Sequence, residues 1–206
     1  MFVLLMYKRF FKRPADIVIS FGGLLATSLF IVPLLLFVYC KTKENPFFLQ
    51  KRPGLNERFF TLIKMRTMVN SYDSEGNLMP DMDRMTRWGK FLREMSIDEI
   101  PQLINVLKGD MSLIGPRPLL PEYLPLYSDY QRRRHQVRPG ITGWAQVNGR
   151  NTISWQQKFD LDVWYVEHVS FKVDMQIILQ TIKKVFKKED INLSEEVTMP
   201  MFDGTT

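Results

Sequence analysis

The sequence predicts a mainly helical α+β protein. Its parts are one N-terminal membrane helix, a small β-hairpin and a helical domain with amphipathic interfacial helices. Three observations carry this. No charge occurs from Ile17 to Cys40, a run longer than the ~20 residues that cross a bilayer as a helix. Phe47–Gln50 and Arg58–Ile63 flank Pro53-Gly54-Leu55-Asn56, two apolar-rich segments around turn residues. Further on, Ile100, Leu103, Ile104 and Leu107 repeat at the spacing of one helix face.

Composition narrows the classes. Of 206 residues, 45% are hydrophobic and 24% charged, as in an ordered protein with a core. A formal net charge of +6 suits an anionic partner such as a phosphorylated substrate or acidic lipid. Nucleic acid is not expected, because no recognition helix or aromatic stacking sheet accompanies the charge. The single cysteine, Cys40, excludes an internal disulfide and a cysteine zinc site. His135 and His168 are too few for a histidine metal cluster. A metal acting here needs oxygen ligands, which points to magnesium.

Taken in order, residues 1–44 form a basic lead-in and the membrane helix. Lys8, Arg9, Lys12 and Arg13 sit among aromatics, a pattern suited to an anionic membrane surface. Lys41, Lys43, Lys51, Arg52 and Arg58 follow the apolar run, so positive charge marks both flanks and assigns no orientation to a simple span. Pro33 removes one helical hydrogen bond and kinks the helix. A bent spanning helix and one that returns to its own side both fit.

Residues 45–188 form the second domain. The hairpin leads to Lys64 and Arg66, then to a polar turn at Asp73-Ser74-Glu75-Gly76-Asn77. A helix near 127–135, another capped by Ser154 and running to about His168, and a third from about Val173 to Lys187 follow. On the last, Met175, Ile178, Leu179, Ile182, Val185 and Phe186 share a face, which suits the core or a lipid surface. Residues 189–206 read as a loose C-terminal tail.

The chemistry concentrates around Asp98-Glu99. Ser96 or Asp98 caps the 100–107 helix, and Ser96-x-x-Glu99 matches a capping box. That puts both carboxylates at the positive end of the helix, where Asp98 stays ionised and phosphate is favoured. Arg66, Arg93, Arg117, Arg138 and Arg150 complete the set. Three of them stand beside Pro or Gly in loops, and a guanidinium offers paired donors to phosphate oxygens. A carboxylate can attack a phosphoryl group and hold it covalently, while a second one holds a metal that offsets the charge.

The segments Phe59–Met68, Arg93–Pro118, Leu119–Tyr127 and His135–Asn151 resemble the bacterial sugar transferase family. More narrowly, they resemble its small monotopic phosphoglycosyl transferases, from about Tyr7 to Lys188. The resemblance implies transfer of a phosphosugar, N-acetylated in the small members, from a UDP-sugar to polyprenyl (undecaprenyl) phosphate with release of UMP. It implies Asp98 as the covalent nucleophile and Glu99 as the catalytic partner associated with Mg2+. Lys64, Arg66, Arg93, Arg117, Arg138 and Arg150 are the expected substrate-binding residues. The resemblance also implies attachment to membrane lipids at the cytoplasmic face of the bacterial inner membrane, through a re-entrant helix broken at a Ser-Pro pair. Here Ser28-Leu29 stands at that place, with Pro33 one turn later.

A different class, a non-catalytic membrane-anchored scaffold for anionic lipid or glycan-assembly enzymes, accounts equally for the charge and the anchor. It does not account for Asp98-Glu99 beside Arg93 and the Gly115-Pro116-Arg117-Pro118 loop. Neither the particular sugar nor the oligomeric state is legible in the residues.

Overall fold

The computed structural model describes residues 6–149, 153–187 and 201–204. After a π-helical turn at Tyr7–Phe11, the expected membrane helix, α1, runs from Lys12 to Thr42. Its 31 residues extend about 46 Å at 1.5 Å per residue. The helix continues through Pro33, so the Ser28–Pro33 region does not break it as the resemblance implied. Ser28 Oγ donates to the Leu25 carbonyl at 2.7 Å and Thr27 Oγ1 to that of Gly23 at 2.7 Å. Both hydroxyls are thereby satisfied within the apolar segment.

One face of α1 lies against the rest of the chain along most of its length. Near the start, Arg13 donates to the carbonyls of Val106 at 2.6 Å and Leu107 at 3.0 Å. Asp16 Oδ1 accepts from Leu113 N at 3.2 Å. Midway, Gly23 faces Leu103, whose Cδ1 would stand 3.2 Å from a Cβ added there. Near the end, Val38 is buried with Met65 and Leu92, and Ile31, Leu34, Leu35, Trp88 and Ile97 pack around them. The opposite face shows Phe21, Leu25, Leu29, Phe30 and Leu36 to the outside, each more than 60% exposed. A stripe of that size calls for an apolar solvent or partner.

The hairpin forms as expected. β1 (Phe47–Pro53) pairs antiparallel with β2 (Phe59–Met65), from Phe47 opposite Met65 to Pro53 opposite Phe59. Two short helices follow, α2 (Asp81–Arg84) and α3 (Arg87–Glu94), the latter capped by Thr86 Oγ1, which accepts from Gly89 N. A 3-10 turn, Ile97–Glu99, then precedes α4 (Gln102–Lys108). Asn105, fully buried on α4, ties the helix to the hairpin. Its Oδ1 accepts from Ile63 N at 3.0 Å and its Nδ2 donates to the Thr61 carbonyl at 2.7 Å.

β3 (Ser112–Ile114) and β4 (Gly140–Thr142) form a short parallel pair. A Cβ on Gly140 would fall 2.1 Å from Gly115 N, and one on Gly143 2.2 Å from Gly115 O. No side chain fits there, so glycine lets the two loops touch and fixes the root of Pro116-Arg117-Pro118. Between the strands stands α5 (Asp129–Arg132), capped by Ser128 and followed by a 3-10 turn over Arg133–Gln136. After α6 (Trp144–Asn148), Ser154 caps α7 (Trp155–His168) in a capping box with Gln157.

The last helix, α8, spans Phe171–Lys187 and splits the face predicted for it. Ile177 is buried, Val173 and Ile178 pack beside it, and Tyr165 of α7 and Val169 just after α7 belong to the same cluster. Phe171, Met175, Leu179 and Ile182 point outward. The outward row is what an interfacial helix presents. The side chain of Phe186 lies outside the described residues.

At 201–204, the described part of the tail, the chain is held rather than loose. Phe202 is only 3% exposed and packs among Tyr123, Tyr127, Trp155 and Phe159, with ring centroids 5.1 to 5.8 Å away. A large aromatic side chain gains too much by leaving water to stay loose beside such a cluster. Residues 188–200 lie outside the described part.

Candidate active site

Asp98 occupies the 3-10 turn before α4 rather than the capped helix end predicted for it. Ser96 is left-handed (φ 54°) and its side chain caps nothing, so the capping box does not form. The reason is visible at Glu99. Lys64, brought up by β2, donates to Glu99 Oε1 at 2.8 Å, and Arg117 Nη2 donates to the same oxygen at 3.0 Å. Two cations outcompete a backbone amide for a carboxylate.

Burial would raise the Glu99 pKa, but Arg117 and Lys64 together bring it down to about 2. Asp98 moves the other way. Only 6% exposed, it is raised above the ordinary carboxylate value, first by burial and then by Glu99, with Lys64, Arg93 and Arg117 pulling against them. The expectation that its surroundings favour the anion is thus reversed in direction, because desolvation disfavours charge. The adjacent carboxylates differ in state: Glu99 is a fixed anion and Asp98 the more basic of the two.

Both line a cavity of about 920 Å³. Arg52, Lys64, Arg66, Arg84, Arg93, Arg117, Arg134 and Lys158 outnumber Asp81, Asp98, Glu99 and Asp162 there. Such a wall selects an anion bearing more than one charge. Arg66 is braced by the Asn45 carbonyl at 2.7 Å and by Glu44 at 3.0 Å. Arg93 Nε donates to Thr67 Oγ1 at 3.0 Å.

Arg138 does not join them. Its Nε donates to the Gly109 carbonyl at 2.8 Å, and with Arg13 it satisfies the C-terminal end of α4, where a cation is favoured. Arg150 lies outside the described residues.

Arg134, Asp162, Lys158 and Arg52 reach the cavity without any local sequence signal. Arg134 and Asp162 are a buried pair, with Nη2 to Oδ2 at 2.6 Å and Nε to Oδ2 at 3.1 Å. The same Nη2 donates to the Arg117 carbonyl at 2.7 Å. Arg134 thereby holds the main chain of the arginine that holds Glu99. Burial, opposed by Asp162 and reinforced by Arg117 and Arg134, lowers the Lys158 pKa to about 8. Arg134 stands 28 positions from Asp162 and 17 from Arg117, and only the fold joins them.

A buried carboxylate beside an ion-paired one in a cationic cavity, next to a long exposed apolar helix, defines a membrane-associated enzyme acting on phosphorylated substrates. Residues 7–188 match the model of the bacterial sugar transferase family, and the chain belongs to it. It is 52% identical over 194 residues to an uncharacterized sugar transferase, EpsL, of Bacillus subtilis, covering 94% of this chain and 96% of that one. It is 38% identical to a UDP-N-acetylgalactosamine-undecaprenyl-phosphate N-acetylgalactosaminephosphotransferase of Aeromonas hydrophila, covering 85% of this chain and 44% of that one. It is 36% identical to an undecaprenyl-phosphate glucose phosphotransferase of Komagataeibacter xylinus, over 84% of this chain and 35% of that one. The chain therefore spans nearly all of EpsL but less than half of the two longer relatives. By family and relatives it is an enzyme of the phosphosugar-transferring class.

Proposed function

We propose that this protein transfers a phosphosugar from a UDP-sugar to polyprenyl phosphate, with undecaprenyl phosphate as the natural acceptor, in two displacements through Asp98. The observation that carries the reading is the division of states between neighbours. Glu99 is neutralised by Lys64 and Arg117, which leaves Asp98 as the carboxylate of the two that lines the cavity without a direct ion pair.

In the first displacement an Asp98 oxygen attacks the sugar-bearing phosphorus. The bond from that phosphorus to the bridging oxygen breaks, and UMP leaves with the electron pair. In the second, an oxygen of the lipid phosphate attacks the same phosphorus and the Asp98 carboxylate is released. Each half presents one substrate at a time to the nucleophile, the advantage of covalent catalysis. The cations of the wall offset charge that accumulates as two anions meet.

We propose magnesium with a single protein ligand, the Glu99 carboxylate, through the oxygen that Lys64 and Arg117 leave. Among the described residues no group of three or more His, Cys, Asp or Glu side chains gathers, and Glu99 Oε1 already accepts from two cations. Glu99 would supply one ligand oxygen, leaving substrate phosphates and water to complete the shell, as magnesium prefers. Bound so, the ion would neutralise part of the diphosphate charge.

For the membrane, we read α1 as keeping both its ends at the cytoplasmic side of the inner membrane, with one face on the domain and its exposed stripe in lipid. Support comes from contacts of both its ends with the same domain, Arg13 with Val106 and Val38 with Met65. The scaffold reading gives no reason for a buried carboxylate beside an ion-paired one. We take N-acetylated sugars as the first donors to test, as in the name of the Aeromonas relative.

The test is incubation with UDP-sugars and no acceptor. One phosphosugar should appear on the peptide carrying Asp98, with an equivalent of UMP, and neither should appear in Asp98→Asn. UMP release that requires both substrates, with no adduct after rapid quenching, would replace this route by direct transfer.

A further inference from the structure

A second cavity, of about 220 Å³, lies behind the Glu99–Arg117 pair, between α4 and α8. Its walls are largely apolar: Ile100 from the turn before α4, Leu103 from α4, Val185 from α8, and Ile141 and Val147. The hydroxyls of Thr142 and Thr181, also in the lining, bond each other at 2.7 Å, so they make no demand on a ligand. Ser96, Glu99, Arg117 and Gln146 line both cavities, whereas Asp98 lines only the larger one. Glu99 and Arg117 are thus a partition between a polar chamber and an apolar one.

A water-soluble nucleotide sugar has no use for the apolar chamber. A phosphate at the end of a hydrocarbon chain needs one that stops where the phosphate must react. Arg117 and Lys184 line the small cavity, a charge complement for an anionic head, with Glu99 already ion-paired to Arg117. The apolar wall is also continuous with the membrane helix, since Leu103 packs against Gly23 of α1. On the far wall, α8 turns Leu179 and Ile182 outward on the same helix that turns Val185 inward.

We infer that the small cavity seats the first isoprene units of the lipid acceptor. Its phosphate then reaches past the Glu99–Arg117 pair, beside Ser96 and Gln146, which line both cavities, towards the phosphosugar on Asp98. This rests on the phosphosugar-transfer reading above and adds to it a place for the acceptor distinct from that of the donor. Apolar contact close to the head gives the enzyme a means to distinguish a prenyl phosphate from other cellular phosphates, because one methylene misplaced in such a pocket changes binding severalfold.

The two half-reactions allow a selective test with the full chain in detergent. Val185→Trp fills the cavity from α8, a helix that carries no reacting group. Formation of the adduct from UDP-sugar alone should stay within twofold of the parent, while the KM for polyprenyl phosphate in discharging it should rise at least tenfold. Val185→Ala should leave both within threefold. An unchanged acceptor KM in Val185→Trp overturns the inference, and so does an equal slowing of both halves, which would mean that the cavity only supports the Glu99–Arg117 pair. Because the tryptophan variant can fail to fold, a polyprenyl phosphate carrying a diazirine on its first isoprene is photolysed with the parent. Labelling of peptides containing Ile100–Leu103 and Lys184–Val185 supports the seat. Labelling confined to the outer face of α1 places the chain elsewhere. If the parent forms neither adduct nor product, the phosphosugar reading fails, and the crosslink still reports on the seat.

Discussion

Lys64 Nζ stands 2.8 Å from Glu99 Oε1, and β2 thereby reaches into the turn that carries Asp98. Neither side chain is more than 20% exposed, so each makes the burial of the other tolerable. Removing one alone leaves an uncompensated charge, which is worse than removing both. We predict that Lys64→Gln and Glu99→Gln each destabilise the protein, and that the double variant loses less than the two losses together. The coupling should be about 1–3 kcal/mol, in the range of contacting pairs. Denaturant unfolding of the four proteins without ligands measures it. Additive losses would show that Arg117 alone satisfies Glu99.

Arg117 is held at two points: its guanidinium on Glu99 at 3.0 Å and its carbonyl under Arg134 Nη2 at 2.7 Å. Lysine at 117 keeps the charge but not the fork that serves a carboxylate and a phosphate together. Arg117→Lys should lower kcat/KM for the donor at least tenfold with little change in Tm. Turnover near that of the parent would reduce the residue to a source of general field.

His135 supplies a pH test remote from the carboxylates. Buried beside Tyr127, with Nδ1 3.3 Å from the Gly54 carbonyl, its pKa is lowered to about 4 by burial and then by Arg134. The folded protein therefore resists protonation that the unfolded chain accepts near pH 6.5. Stability from this group is complete above pH 6.5 and is lost as pH falls towards 4. Between pH 6.5 and 5 the loss should reach about 2 kcal/mol, at 1.36 kcal/mol per unit. Curves of unfolding free energy for the parent and His135→Gln should converge on acidification. Parallel curves would remove His135 from the account.

Phe202 lies beyond the 7–188 match to the family, yet it closes the aromatic cluster of Tyr127 and Phe159. The Arg134 guanidinium lies 6.0 Å and 5.7 Å from the centroids of those two rings. Phe202→Ala opens a cavity behind the support of Arg134 and should destabilise by about 3–5 kcal/mol. Phe202→Leu should recover more than half of that. A change below 1 kcal/mol for the alanine variant would show that the 201–204 segment detaches at little cost.

How much of this was legible in the sequence follows from the range of each interaction. The hairpin, the Ser154 cap and α8 are local patterns, and they stand within three residues of where periodicity put them. The Asp98-Glu99 pair and Arg117 stood out through neighbouring Pro and Gly. What failed was local logic applied to long-range partners. Ser96-x-x-Glu99 has the form of a capping box, but Lys64, 35 residues away, claims the glutamate. Arg138 has a Pro-Gly setting like that of Arg117, yet it caps α4. Arg134 and Asp162 show no pattern at all, because a pair separated by 28 positions has no periodicity to betray it.

The last prediction concerns the course of α1. A helix of about 46 Å is long enough to cross a hydrocarbon layer of ~30 Å, and its outer face is apolar throughout. If it crossed, Arg13 and Val38 would lie near opposite surfaces. Their partners would then have to do so too, yet Val106 and Met65 belong to one domain, whose β2 is bonded to α4 through Asn105. Such a domain would have to sit inside the bilayer, with its cationic cavity in hydrocarbon, where each charge is costly. Lying with one face on the domain and the other in lipid avoids this. We therefore predict that residues 6 and 43 share a side. With the exposed Cys40 replaced by serine, single cysteines at Met6 and at Lys43 should both resist an impermeant maleimide on intact cells. Both should react once the membrane is permeabilised. Labelling of the Met6 position alone from outside would establish a crossing helix, and the packing of α1 along the domain would then need a different membrane setting.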